Sequence, residues 1–403
     1  SLLNTTDIKW LTMEAGATVD EIRFNWFSPS AKPGMIELTR EDTGKTQYIE
    51  AECSPSVTRE GYYVNKASVN GLEYGVLYTY RAGNDDAWSP EYSYQMPEDT
   101  GNNLTFLVTT DAQLGQSQTE DREITAVRWN DVLNKITSEV PEAQFLFHLG
   151  DQVSCFGSGR DYELFLDHKA LYSIPLAPIV GNHDVPNIWS IEESGYPDGP
   201  YFHEHLNVPN LSELGQTQPG TGDGDYYFIR GNVLFLTLNN ECASTSEHEQ
   251  FVAQVTSEHP EVKWRILAQH YPAYSGVESA TAAEDKDWII ALAADYDIDL
   301  VLTAHDHSYS RTGFLTREGV TLEGYEYETG SAAADPEGPF FVTCSTSSGC
   351  LYHWPVEREE FVFQGQPDTP MAMRIDVTDT ELHLTAYLAE SWTVYDEYTI
   401  QKS

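Results

Sequence analysis

The order of apolar and polar positions divides the chain in two. Over EIRFNWF (21–27) the two kinds alternate, with Ile22, Phe24 and Trp26 on one face, and that period of two predicts a half-buried strand. LYTYRAG (77–83) and EYSYQM (91–96) keep this style, so residues 1–98 read as an all-β sandwich, and MPEDTGNN (96–103) as a linker. From 104 to 403 strands alternate with helical spacing, which predicts a layered α/β unit with a β core flanked by helices. Its strands are LTFLVTT (104–110), AQFLFHLG (143–150), APIVG (177–181), NVLFLTLNN (232–240), VKWRILAQH (262–270) and DIDLVLTAH (297–305). Helical patterns fall at 119–138, 160–173 and near 246–257 and 282–295, and MRIDVTDTELHLTAYL (373–388) predicts a hairpin around Thr378-Asp379. The long stretches 185–225 and 312–340 have no period, and loops of that length read as covers over a site.

Composition narrows the classes. The chain of 403 residues is 40% hydrophobic and 12% aromatic, which is globular, and no apolar run is long enough to span a membrane. Sixty-four acidic residues against 22 basic ones give a net charge of −42, which excludes nucleic acid and anionic membranes as expected partners. An extracellular, periplasmic or cell-surface setting fits this charge, with a cytoplasmic one left open and no signal segment in SLLNTTDIKW. Cys53, Cys155, Cys242, Cys344 and Cys350 form no CxxC pair; Cys344 and Cys350 are spaced to bridge a short loop, but spacing alone does not fix a pairing.

Chemistry gathers where strands end. Asp111 and Gln113 follow the first α/β strand, Gly150-Asp151 the second, Gly181-Asn182-His183-Asp184 the third; His270 closes another, and Ala304-His305-Asp306-His307 the last. Ligands of open α/β sheets bind at the carboxyl ends of strands, and Asp, Asn, Gln and His all coordinate hard or borderline metals. Each motif alone has a plainer reading as a turn, a helix cap or a structural histidine. Five of them in this order make the plain readings jointly implausible.

That order resembles the calcineurin-like metallophosphoesterases, and VKWRILAQHYPAYS with DIDLVLTAHDHSYSR is similar to purple acid phosphatases and their bacterial relatives. The Leu72–Tyr78 spacing in GLEYGVLYTYRAG resembles the tyrosine corner of fibronectin type III and immunoglobulin-like sandwiches, an N-terminal arrangement that also suits that group. The resemblance implies a secreted-type hydrolase acting on a small phosphorylated substrate, with two divalent ions, Mn, Fe or Zn. One ion would be held by Asp111, Gln113, Asp151 and His307, the other by Asp151, Asn182, His270 and His305, with Asp151 bridging. A hydroxide between the ions would attack the phosphorus. His183, oriented by Asp184, would meet the phosphate or the leaving oxygen. Tyr309 and Arg311, just past the last ligands, are rim candidates, with packing an equal alternative. His148 reads as structural or as lying just behind the ligands.

Three departures from the family pattern stand out. Ser154 occupies the place of the tyrosine that ligates Fe(III), which argues against a purple charge-transfer colour. Gln113 replaces the histidine common in phosphodiesterase-like members, and Ala304 a glycine. Monoester hydrolysis is the leading expectation, diester hydrolysis the alternative. A non-catalytic surface interaction protein with a vestigial metal site is a third reading.

Overall fold

The computed structural model describes residues 7–116, 121–186, 194–278 and 285–403. Parts of the predicted helices at 119–138 and 282–295, and of the loop 185–225, lie outside these residues.

The first strands build a two-sheet sandwich. Ile22–Ser28 pairs antiparallel with Lys9–Ala15 and Tyr63–Val69, and Met35–Arg40 lies between Thr46–Glu50 and Leu77–Asn84 in the facing sheet. Ile22, Phe24 and Trp26 point inward against Ile36, Leu38 and Tyr80, the face their alternation predicts. The Tyr78 hydroxyl accepts the Glu73 N–H at 3.0 Å with Leu72 buried in the same core, a tyrosine-corner contact. The opposite face of Ile22–Ser28, expected to meet solvent, is buried as well. Asn25 Nδ2 donates to the Glu204 carbonyl at 2.8 Å, and the Phe27 ring lies 4.7 Å from His205. The short helix Tyr201–His205, from the aperiodic stretch after 185, covers that face.

One sheet runs on into the second half, because Lys9–Ala15 also pairs in parallel with Leu176–Pro178. The resulting eleven-stranded sheet carries the parallel trio Leu104–Thr109, Leu146–His148 and Leu176–Pro178, and Met371–Val377 opens its antiparallel flank. A seven-stranded sheet faces it, with Val233–Leu238, Trp264–Gln269, Leu300–Thr303 and Phe340–Thr343 parallel at its centre. Side chains along these strands alternate between two apolar layers. Phe106, Phe145, Phe147, Phe235, Ile266 and Leu302 fill the space between the sheets. Leu107 and Leu146 meet Trp129 and Phe165 on one outer face, and Leu234 and Val301 meet Phe251 and Ile289 on the other. Burial on both faces explains why the strands read as unbroken apolar runs.

Helices Arg122–Glu139 and Thr245–Glu258 start at Asp121 and Ser244, whose side chains accept the backbone N–H of Glu123 and Glu247. The predicted helix over 160–173 is shorter, spanning Gly159–Leu166, with a separate turn at Lys169–Tyr172. Tertiary contacts win there: the Tyr172 ring stacks on Tyr92 at 4.0 Å, and its carbonyl accepts the Tyr80 hydroxyl at 2.8 Å. The hairpin forms as expected from Met371–Val377 and Glu381–Leu388. Among the described residues no helix is long and apolar enough to cross a membrane.

Candidate metal centre

The parallel strands of both sheets release their chains at one edge, and there the backbone is strained. Asp111 (φ 45°), Gln113 (43°), Asp151 (53°), His305 (70°) and His307 (48°) adopt the left-handed conformation, which costs about 1–3 kcal/mol per residue. Hydrogen bonds between the loops hold it: Asp111 N–H to the Gly150 carbonyl (3.1 Å), Gln113 N–H to that of Asp151 (2.7 Å), and Ala304 N–H to that of His270 (2.9 Å). Gly150 (φ 91°) has no room for a side chain, since a Cβ would lie 2.6 Å from His270 Nδ1.

This geometry brings together six of the seven predicted ligand positions, Asp111, Asp151, Asn182, His270, His305 and His307, and leaves Gln113 beside them. Among the described residues two groups place ligand atoms within 4.8 Å of one another: Asp151, His270 and His305, and Asp111, Asp151 and His307. Asp151 belongs to both. Asn182 Oδ1 lies 3.1 Å from His270 Nε2 and 2.9 Å from His305 Nδ1. The Gln113 amide stands slightly aside, its Nε2 2.9 Å from His183 Nε2 and its Oε1 3.5 Å from Cys350 Sγ.

Whether these residues suit metal is decided by where the protons sit. His270 Nδ1 and His307 Nδ1 contact the carbonyls of Leu149 (2.8 Å) and Leu351 (2.9 Å), which only accept, so both nitrogens carry the hydrogen. In the neutral rings the Nε2 lone pairs would face oxygens that also only accept, Asp151 Oδ2 at 3.3 Å from His270 and Asp111 Oδ1 at 3.4 Å from His307, so a proton or a metal cation has to stand between each pair. Asp111 Oδ1 is buried without a hydrogen-bond partner. Lone pairs converging from imidazole and carboxylate call for a cation between them, and a nitrogen and oxygen donor set suits Zn, Mn or Fe. Burial pulls the His270 imidazole down, but Asp151 and Asp111 outweigh it and push it up to about 10. For Asp111, burial is likewise outweighed by the neighbouring His307, which holds the carboxylate below its usual range.

A loop that sequence reasoning missed braces the first ligands. Thr346 Oγ1 donates to the Asp111 carbonyl and Ser348 Oγ to that of Ala112, both at 2.7 Å, and Cys350 Sγ lies 3.5 Å from the Asp111 carbonyl. The run CSTSSGC was legible only as a cysteine spacing; all five cysteines are free, so Cys344 and Cys350 form no bridge. His353, at the loop's end, stacks on the His307 ring at 5.0 Å.

Four sequence readings change or sharpen. Asp184 does not orient the His183 ring: its carboxylate accepts the N–H groups of Asp151 (2.8 Å), Gln152 (2.9 Å) and Gly181 (2.8 Å), tying two ligand loops together. His183 is oriented by the Ser154 carbonyl, 2.8 Å from Nδ1. Tyr309 and Arg311 are not at a rim. The strand Tyr309–Thr312 lies inside the seven-stranded sheet, both side chains are at most 1% exposed, and both bind the buried Asp396 at 2.7 Å. His148 is structural, bonded to Thr109 Oγ1 at 2.9 Å and packed on Trp129 and Phe165. A cleft of about 840 Å³ opens at the opposite end of the strands beside Leu104, Gln144 and Pro175, away from these ligands.

Residues 104–309 match the family model of the calcineurin-like phosphoesterases, and residues 11–96 that of the purple acid phosphatase N-terminal domain. The chain belongs to the calcineurin-like phosphoesterase family and is a hydrolase of phosphoester bonds. Its fold is similar to that of purple acid phosphatase PPD1 from yellow lupin (Lupinus luteus) seeds. The TM-score is 0.77 at 17% identity, over 100% of this chain and 75% of that one. It is also similar to PhoD, with a TM-score of 0.62 at 14% identity over 98% and 90% of the two chains.

Proposed function

We propose that this protein is a dinuclear phosphomonoesterase. The observation that carries the reading is the pair of overlapping ligand groups that share Asp151. In this reading Asp111, Asp151 and His307 hold one divalent ion, with the Gln113 amide beside them on His183, and Asp151, Asn182, His270 and His305 hold the other. Two such ions supply Lewis acidity, lowering the pKa of water and neutralising charge on the phosphoryl oxygens. The chain's residues do the rest. Asp151, with two oxygens and a full charge, is the residue common to both ligand groups and would serve both ions. The Leu149 and Leu351 carbonyls fix the His270 and His307 tautomers so that Nε2 is available. His183, anchored through Nδ1 to Ser154, presents Nε2 toward the site and hands a proton to the leaving oxygen. Ser154 stands where a tyrosine ligand would be, with its Oγ 3.4 Å from Gln116 Oε1, so the iron-loaded protein is expected to lack a tyrosinate absorption band.

The test is hydrolysis of p-nitrophenyl phosphate against bis(p-nitrophenyl) phosphate after loading with Mn²⁺, Zn²⁺ or Fe²⁺. Faster turnover of the monoester is expected; preference for the diester overturns the monoesterase reading, and no metal uptake overturns the dinuclear one.

A further inference from the structure

A second concavity adjoins the ligands on the His270–His305 side. It encloses about 490 Å³, within the range of small-ligand sites, and Asn240, Glu241, Tyr271, Lys286 and Trp288 line it. Tyr271 directly follows His270, and its ring meets the His305 ring edge-on at 4.7 Å. A phosphate held at the ligands therefore has this cleft beside it for its organic part.

The lining carries two carboxylates and one ammonium over aromatic surface, and one of the carboxylates, Asp285, is tied to Arg358 at 3.0 Å. The Lys286 ammonium sits 5.3 Å above the Tyr271 ring, and among the described residues no carboxylate comes within ion-pair distance of it. In a chain with 64 acidic and 22 basic residues, an uncommitted cation beside the site is notable. The Glu241 carboxylate is bonded to the Tyr271 hydroxyl; His270 and Lys286 attract it from a distance, and among the described residues no cation comes within ion-pair range of it. The Asn240 amide is occupied, its Oδ1 taking the Tyr271 N–H at 3.0 Å, so it serves to fix the wall.

We infer that this cleft binds the organic part of a zwitterionic phosphomonoester, an O-phosphorylated amino acid, with Lys286 taking its carboxylate, Glu241 its ammonium, and Tyr271 and Trp288 its stem. The inference rests on the phosphomonoesterase reading for catalysis but not for binding. The chemistry is matched in three ways: an ammonium meets a carboxylate, a carboxylate meets an ammonium, and aromatic faces meet a short carbon stem.

The test compares kcat/KM for O-phospho-L-tyrosine with that for phenyl phosphate, which lacks the zwitterion, on the metal-loaded protein. A preference of about tenfold for phosphotyrosine, expressed in KM, is expected. The preference should fall toward one in Lys286→Met and in Glu241→Gln. For the unaltered protein it should also fall with the methyl ester and the N-acetyl derivative of phosphotyrosine, which delete each charge from the substrate side. Equal use of phosphotyrosine and phenyl phosphate, or a preference untouched by all four changes, overturns the inference. Calorimetric titration with O-phospho-L-tyrosine, against phenyl phosphate as control, decides the cleft separately. If phenyl phosphate is not hydrolysed at all, the phosphatase reading falls, while tighter phosphotyrosine binding that Lys286→Met abolishes still supports the cleft, and its absence refutes it.

Discussion

Gln113 Nε2 lies 2.9 Å from His183 Nε2. Because His183 Nδ1 gives its hydrogen to the Ser154 carbonyl, Nε2 of the neutral ring accepts from the Gln113 amide. When the ring is protonated, the same amide turned by half a rotation presents its oxygen instead. Glutamine thus partners both states of the proposed proton donor, which a histidine or a carboxylate at 113 does less evenly.

Gln113→Ala is therefore expected to lower kcat by about 10–100-fold, and His183→Ala by about 10²–10⁴-fold. The double variant should be no slower than His183→Ala alone, because both act through one proton. The losses should be larger for an alkyl phosphate than for p-nitrophenyl phosphate, whose leaving group departs without protonation. Steady-state kinetics on the two substrates, with metal content measured in parallel, checks this. Loss of metal in Gln113→Ala would show instead that the amide is chiefly a ligand.

Asp151 is the position where both ligand groups fail together. Asp151→Asn keeps the shape but gives up one acceptor and the charge, so metal content should drop at both positions and turnover by at least about 10³-fold. Elemental analysis with turnover measurement decides it; near-normal turnover would refute the ligand assignment. Chelation of the unaltered protein should also lower Tm, because bound ions stabilise the state in which five ligand positions hold left-handed backbone.

Much of this was legible because the chemistry interrupts apolar runs. Asp111, Asp151, Asn182, His270 and His305 each follow a doubly buried strand, and strand ends share an edge in any layered α/β fold. What was hidden depends on contacts far apart in the chain. Thr346 reaches Asp111 across 235 positions, and nothing in CSTSSGC announces it. Tyr309 and Arg311 stay open between rim and packing in the sequence, because nearness to His307 says nothing about which side of a sheet a returning strand faces; their burial on Asp396 is the packing alternative. The half-buried reading of EIRFNWF failed likewise: alternation showed one apolar face, but Asn25 and Arg23 on the other are polar partners of Glu204 and Asn207 rather than solvent.

The placement of Arg311 has its own test. Its guanidinium binds Asp396 through two nitrogens, and both residues are at most 1% exposed. Asp396→Ala strands a buried cation and should cost about 3–5 kcal/mol in unfolding free energy. Denaturant titration measures the loss. A change in KM without loss of stability would return Arg311 to the substrate side.

The junction between the sandwich and the second half should respond to pH through Glu14. This carboxyl is fully buried on Lys9–Ala15, where that strand meets Leu176–Pro178. Its Oε1 accepts the Thr12 hydroxyl at 2.7 Å and the Asn207 N–H at 2.9 Å, while Oε2 has no partner and is the natural seat of a proton. Burial pushes its pKa up to about 7, against the restraining pull of these hydrogen bonds and of Lys66 and Arg23. A carboxyl raised in the folded state binds its proton more tightly there than in the unfolded chain. Its stabilising effect is complete below the ordinary carboxylate pKa of about 4.5 and is lost as pH rises to about 7. The change is on the order of 3 kcal/mol at most. Glu14→Gln keeps the shape and removes the titration, so its Tm should hold between pH 5 and 7 where that of the unaltered protein falls. Calorimetric scans of both proteins across that window, in saturating metal, make the comparison. Parallel pH profiles would show that Glu14 stays ionised in the fold.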